Sequence, residues 1–339
     1  MKSFNRYALN GGVAIALLAG CGASQPPGGT PPAMPQTARP IRSEVTLAAK
    51  SNGYLFVDDY AYNRIEIVTN GSRASSFEGQ LQAPGWKTIG TIKAGLSNQP
   101  ANNWVDKQGN LYVPGYNFTA NGPTQPQVTE YNPSGALKFV YSSNMEFPGG
   151  VTTDAKGNVF EADRFDGLNE YHQGSNALVA TCPRTGGDQG VAVDAQGDVF
   201  TGYGSSDGTG TIIEYHGGLA GCSYTALGVS LGQPDGLALD KSANLLVCDF
   251  TNQTVDVIAP PYSQVSSHLG GDRGPISLRY MEPVDVSLNK DNSLAYVTDW
   301  FAQKVDVLTY PAGEAFAEVG SGDGISYPIA AVDSSNYVP

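Results

Sequence analysis

The chain has 339 residues and carries 32 acidic against 19 basic side chains, a net charge of −13. A surface this acidic repels nucleic acid and anionic lipid headgroups, which excludes both as ligands of the folded domain and leaves cations and basic partners admissible. With 40% hydrophobic and 10% aromatic residues, and with 42 Gly and 22 Pro, the composition excludes wholesale disorder and suits many short strands joined by tight turns.

Residues 1–20 form a separate object. Lys2 and Arg6 give a positive start, and Val13 to Ala19 is an unbroken apolar run, too short to span a bilayer and of the anatomy of an export signal. The run leads into Leu18-Ala19-Gly20-Cys21. These four residues resemble the lipobox of bacterial lipoproteins, which implies that Cys21 is acylated, becomes the new N-terminus and anchors the chain in a lipid bilayer. Loss of residues 1–20 removes two cationic side chains and deepens the net charge from −13 to −15. Residues 21–43 include GASQPPGGTPPAMPQTARP, a Pro- and Gly-rich tract without apolar periodicity, and read as a tether. In the lipoprotein resemblance, Gly22 after the Cys favours the outer membrane, periplasmic or surface-exposed.

Residues 44–339 are organised by a repeat, taken here in chain order: LAAKSNGYLFV from Leu47, WVDKQGNLYV from Trp104, VTTDAKGNVF from Val151, VAVDAQGDVF from Val191, LALDKSANLLV from Leu237 and VSLNKDNSLAYV from Val286. Apolar residues alternate on both sides of a short polar break, the pattern of a β-hairpin. In the break Asp106, Asp154, Asp194 and Asp240 accept backbone N–H groups, and Gly109, Gly157 and Gly197 supply the left-handed residue at its end. The fifth copy has Ala243 at that place, and the sixth has Asn289 for Asp and Asn292 for Gly. A third strand follows each hairpin: RIEIV, VTEY, LNEY, IIEY, TVDVI and KVDVL. With a less patterned fourth segment, units recurring every 40–56 residues predict an all-β protein, a six-bladed β-propeller of four-stranded antiparallel blades. The segment YPIAAV from Tyr327 to Val332 reads as an opening strand; as a clasp on the first blade it gives six blades, and as a partial further blade it gives seven. The Tyr and Phe excess is expected between adjacent blades.

Three cysteines follow Cys21. Cys182 and Cys222 sit after the third strands of neighbouring copies and pair if their fourth strands approach, whereas Cys248 reads as a buried thiol. GVAVDAQGDVF, GVTTDAKGNVF and QPDGLALDKSANLLVCDFTNQTVDVI resemble NHL repeats, over the stretch from Glu44 to the C-terminus. Propellers similar to these include non-enzymatic binding domains and enzymes such as gluconolactonase-type lactonases, peptidyl-amidoglycolate lyase and streptogramin lyase, so the fold alone does not select a function.

The resemblance places the start of each innermost strand on the central channel, here Ala101, Gly149, Gln189, Asp235, Val284 and Ile329. It also implies that Asp235, in Pro234-Asp235-Gly236, matches the Asp of the lactonases' metal site, for a divalent cation (Ca, Mg, Mn or Zn), with Asn102, Asn103, Gln189 and Asp285 as candidates for further oxygen ligands. His172, His216 and His268 are expected at the blade periphery, and Asp59, Asp163, Asp249 and Asp299 in a repeated structural hydrogen bond. GxSxG, P-loop, HExxH and dinucleotide motifs are absent from the sequence. Two functions remain: a non-catalytic module on a bacterial envelope lipoprotein that binds a protein, peptide or glycan, and a divergent metal-dependent lactonase- or lyase-like enzyme working at the channel.

Overall fold

The structure, a computed structural model, describes residues 54–60, 64–69, 87–92, 99–119, 122–165, 167–183, 190–204, 208–270, 280, 282–320, 325 and 327–333. The export segment, Cys21, the tether and Gln189 lie outside the described residues.

Six antiparallel sheets follow one another along the chain. Blade 1 holds β1 (Tyr54–Asp59), β2 (Arg64–Thr69) and β3 (Lys87–Ile92), and blade 2 holds β4 (Gln99–Pro100), β5 (Trp104–Val105), β6 (Leu111–Thr119), β7 (Gly122–Tyr131) and β8 (Leu137–Tyr141). Blade 3 is β9 (Pro148–Thr153), β10 (Val159–Asp163), β11 (Gly167–Tyr171) and β12 (Leu178–Cys182); blade 4 is β13 (Val191–Val193), β14 (Val199–Gly204), β15 (Gly210–Tyr215) and β16 (Tyr224–Ala226). Blade 5 is β17 (Pro234–Leu239), β18 (Leu245–Asp249), β19 (Thr254–Ile258) and β20 (Ser267–His268); blade 6 is β21 (Pro283–Leu288), β22 (Leu294–Asp299), β23 (Lys304–Thr309) and β24 (Ala315–Gly320). The last strand, β25 (Pro328–Asp333), pairs with β1 from Leu55↔Asp333 to Asp59↔Pro328 and so becomes the innermost strand of blade 1. The clasp closes a six-bladed propeller. In blade 2 the inner strand is split, β4 and β5 both pairing with β6.

The repeated break folds as its residues dictate. Asp154 Oδ1 accepts the backbone N–H groups of Lys156 and Asn158 at 2.8 Å each, and Asp106, Asp194 and Asp240 do the same for their own turns. Gly109, Gly157 and Gly197 take φ of 84° to 89° at the turn's end. Ala243 and Asn292 adopt the same left-handed backbone, at 61° and 59°. At the opposite end of each blade, the Asp that closes the second strand ties down the entry of the inner strand. Asp163 Oδ2 accepts from Glu146 N and Phe147 N, Asp249 from Gly232 N and Gln233 N, Asp299 from Glu282 N, and Asp59 from Tyr327 N. These four carboxylates are buried and structural.

The core is divided among the interfaces between blades. Phe56, Leu111 and Tyr131 fill the space between blades 1 and 2; Tyr112, Tyr141 and Tyr171 that between 2 and 3; Phe160, Val199 and Tyr215 that between 3 and 4. The ring is completed by Leu55, Tyr296, Val305 and Ala331 between blades 6 and 1. Each side chain buried this way contributes about 1.5–3 kcal/mol. A disulfide, Cys182–Cys222 with Cα atoms 5.4 Å apart, joins β12 to the turn before β16, so that it staples blade 3 to blade 4. Cys248 is a buried free thiol.

Candidate functional site

The inner strands converge on the axis so closely that side chains reach across it. Asn102 Nδ2 in blade 2 points at Val284 O in blade 6 at 3.5 Å, and the Asn102 backbone N–H donates to Gly149 O in blade 3 at 3.1 Å. The glycines here are obligatory for space. A Cβ on Gly236 would lie 2.5 Å from Asp285 Cα, and one on Gly190 would lie 2.3 Å from Asp235 O.

A narrow cavity remains on the axis, with Asn102, Asn103, Gly150, Gly190, Leu237 and Asp285 in its wall. Of the expected column, Ala101, Gly149, Asp235 and Val284 are not in the wall of this cavity, and a bulge shifts the register there. In blade 3, Pro148 pairs with Asp163 and Gly150 with Ala162; in blade 6, Pro283 pairs with Asp299 and Asp285 with Thr298; in blade 1, Pro328 pairs with Asp59 and Ala330 with Asp58. Gly149, Val284 and Ile329 are therefore extra residues, and blade 5 carries the same irregularity between Pro234 and Leu237. A bulge restarts the alternation of faces, so the wall position moves to the following residue. Asn102, Asn103 and Asp285, named from the sequence as further ligands, are on the wall; Asp235 and Ala101 are near it but not part of it.

Asp235 is 5% exposed. Burial pushes its carboxyl up to about 7, against the pull of the Arg164 guanidinium. Its charged neighbours are of both signs, the Arg164 guanidinium and the Asp285 carboxylate, while Ala101, Gly149 and Val284 in the same column offer no side-chain oxygen for the divalent metal implied by the lactonase resemblance.

Around the channel mouth, at the end where the inner strands begin, aromatic rings form an arc. Tyr327 and Trp300 lie 5.6 Å apart between centroids, Trp300 and Tyr60 5.1 Å, Tyr116 and Phe147 4.0 Å, and Phe147 and Phe165 5.4 Å. Tyr60 and Tyr116 join the two halves through their hydroxyls. The arc runs through blades 6, 1, 2 and 3. Arg164 lies over it, its guanidinium carbon 5.1 Å from the Phe147 centroid. Burial raises the Tyr60 hydroxyl, and Arg164 draws it part of the way back. Phe165, Phe301 and Tyr327 are exposed, while Tyr116 is almost covered. Sequence reasoning missed this arc; its signal was the aromatic or Arg that follows each second-strand Asp, as in Asp59-Tyr60, Asp163-Arg164-Phe165, Asp249-Phe250 and Asp299-Trp300-Phe301.

All three histidines sit away from the channel. His172 Nδ1 meets Asn158 Oδ1 at 3.1 Å, His216 Nε2 meets Thr225 Oγ1 at 2.9 Å, and His268 Nδ1 meets Asp256 Oδ1 at 2.6 Å. His268 lies in the short strand β20. Asp198, Glu214 and His216 form a peripheral group whose ligand atoms lie within 4.8 Å of one another; Asp198 accepts from Gly217 N, and His216 sits between Thr225 Oγ1 and Glu214.

No protein-family profile matches the chain. No curated protein matches it either. Among solved structures it is similar to a protein of unknown function from Bacteroides caccae, with a TM-score of 0.58 and 10% identity over 82% of this chain and 97% of that one. A functionally unknown protein from Desulfotomaculum acetoxidans DSM 771 gives a TM-score of 0.49 and 13% identity over 78% of each chain. At such identity the first likeness concerns the fold alone, and it agrees with the six-bladed ring.

Proposed function

We propose that the chain is a bacterial envelope lipoprotein, anchored in a bilayer through acylated Cys21, whose NHL-like propeller is a non-catalytic module binding a protein, peptide or glycan at the channel mouth. The carrying observation is the aromatic arc. Six rings and a guanidinium gathered at one end of the axis, with Phe165 and Tyr327 solvent-facing, offer stacking and hydrogen-bonding surface of the kind that dominates recognition energies. The Cys182–Cys222 disulfide supports an oxidising compartment.

Titration of peptidoglycan fragments, soluble oligosaccharides and a peptide panel, read by calorimetry, tests the mouth. Phe165→Ala and Trp300→Ala should each weaken a bound ligand by tenfold or more with the melting temperature almost unchanged for exposed Phe165. Binding that survives both substitutions puts the site elsewhere. For the anchor, Cys21→Ser should abolish incorporation of labelled palmitate in cells.

One observation favours a second reading, a divergent lactonase- or lyase-like enzyme. A buried carboxyl raised to about 7 beside an Arg is poised to exchange protons near neutrality. Turnover of a lactone or ester panel, lost in Asp235→Asn and inflecting near pH 7, would establish it; no turnover on the panel removes it.

A further inference from the structure

Blades 3 and 4 carry equivalent trios of side chains at their hairpin turns, and one exchange separates them. Blade 3 has Asn158 at the end of the turn, Glu170 on β11 and His172 two residues on; blade 4 has Asp198, Glu214 on β15 and His216. Glu170 pairs with Phe160 across the ladder as Glu214 pairs with Phe200, so the registers match. In blade 3 the Asn158 amide serves both neighbours: its Nδ2 donates to Glu170 Oε1 at 3.2 Å, and its Oδ1 meets His172 Nδ1 at 3.1 Å. The same Nδ2 donates to the turn carboxylate of Asp154 at 3.1 Å, as Asn110 and Asn244 do for Asp106 and Asp240.

Asp198 has no N–H to give. A neutral amide bridge is replaced by a carboxylate, and Asp198 and Asp194 both repel the charge of Glu214. A bare ion pair of His216 with Glu214, at 3.8 Å and with the imidazole half exposed, does little to offset that repulsion. Even so, the ligand atoms of Asp198, Glu214 and His216 lie within 4.8 Å of one another. Three donors each about 2.1 Å from a tetrahedral ion stand about 3.4 Å apart, so small side-chain movements bring this trio onto one centre. Two of its members are already oriented. Asp198 Oδ1 accepts the Gly217 N–H at 2.6 Å, and His216 Nε2 meets Thr225 Oγ1 at 2.9 Å. Thr225 sits opposite Glu214 on β16, where blade 3 has Ala180 opposite Glu170. With Nε2–H donating to that hydroxyl, Nδ1 turns its lone pair toward the carboxylates, the outer-shell arrangement by which imidazole ligands are held to a metal.

We propose that Asp198, Glu214 and His216 bind a divalent transition cation of the zinc class on the periphery of blade 4, at the end of the propeller away from the aromatic arc. Two carboxylates balance the charge of the ion, and the imidazole disfavours calcium and magnesium, which take oxygen donors. Three protein ligands leave a position open to water or to a group from another molecule. The cation does for blade 4 what the Asn158 amide does for blade 3, tying the turn after β13 to the third strand. The site is separate from the axial channel, and Asp235 and Asp285 play no part in it.

The test uses the full chain in detergent, stripped with EDTA and titrated with zinc by calorimetry at pH 7.5. Zinc should bind at this site with an affinity that an excess of magnesium or calcium leaves unchanged. Asp198→Asn rebuilds the blade 3 arrangement, so the variant should melt at or above the wild type in EDTA and bind zinc roughly tenfold more weakly or worse. His216→Ala, at an exposed position, should lose affinity in the same way. Thr225→Val keeps all three ligands but releases the imidazole, and a loss of about 10–100-fold is expected. His172→Ala and Asp235→Asn should bind zinc as the wild type does. A chain that takes up no zinc overturns the proposal, and so does wild-type affinity in both Asp198→Asn and His216→Ala.

Discussion

Ala243 shows how much a single turn residue reveals. It stands where three other copies have Gly, and its φ of 61° keeps the Gly conformation at the expense of a Cβ. Ala243→Gly should therefore raise stability by about 1 kcal/mol, measured by urea unfolding, because a left-handed L-residue carries a penalty of about that size. Asp249 lies at the other extreme. Its two oxygens, themselves fully buried, accept from Gly232 N, Gln233 N, Asn252 N and Asn252 Nδ2. Asp249→Ala strands those donors and should destabilise by about 3 kcal/mol or more. Both roles were readable in the sequence, since recurrence at one blade position separates a structural carboxylate from a chemical one. Asp58 was not. It followed the rule for strand ends only as half of Asp58-Asp59, and nothing in a one-dimensional pattern tells which of two adjacent acids holds the inner-strand entry and which turns one oxygen to Asn103 Nδ2.

At the scale of strands, the hairpins, the third strands and the clasp were legible because period two survives degeneracy. The channel wall was not, because a bulge at the inner-strand entry inserts one residue and inverts the count beyond it. The same convergence explains Gly190 and the Gly236 of Pro234-Asp235-Gly236. Gly236→Ala and Gly190→Ala drive a methyl group into the backbone of the next blade and should each cost about 3 kcal/mol, visible as a lower urea midpoint. Between blades 3 and 4, Cys182–Cys222 closes a segment with a sequence separation of 40. By chain entropy, reduction should cost up to about 4 kcal/mol, so dithiothreitol should lower the melting temperature of the wild type and leave a Cys182→Ala/Cys222→Ala double variant unmoved.

For the molecule as a whole, an acidic chain has internalised part of its charge. Burial carries Asp235 from an ordinary 3.8 to about 7, Asp333 to about 7, and Asp306 to about 6 despite Lys304. Asp58 and Asp285 move the same way. A carboxyl raised on folding binds more protons in the native than in the unfolded state between its two values, so its contribution is lost as pH climbs from about 4 to 7. In EDTA the melting temperature should fall between pH 5 and pH 8. Asp235 accounts for about 3 kcal/mol of that fall at most, at about 1.4 kcal/mol per pH unit between 5 and about 7, and Asp235→Asn should flatten the curve. The clasp has a consequence in time. Blade 1 takes its inner strand from residues 328–333, so the register Leu55↔Asp333 joins positions almost a whole domain apart. Five blades can assemble as they emerge, but the interface of Leu55 with Ala331 and Tyr296 has no partner until the last strand has been made. For most of its synthesis, then, the chain presents an open arc with two raw edges, and anything that must grip it unfolded has until that final strand to do so.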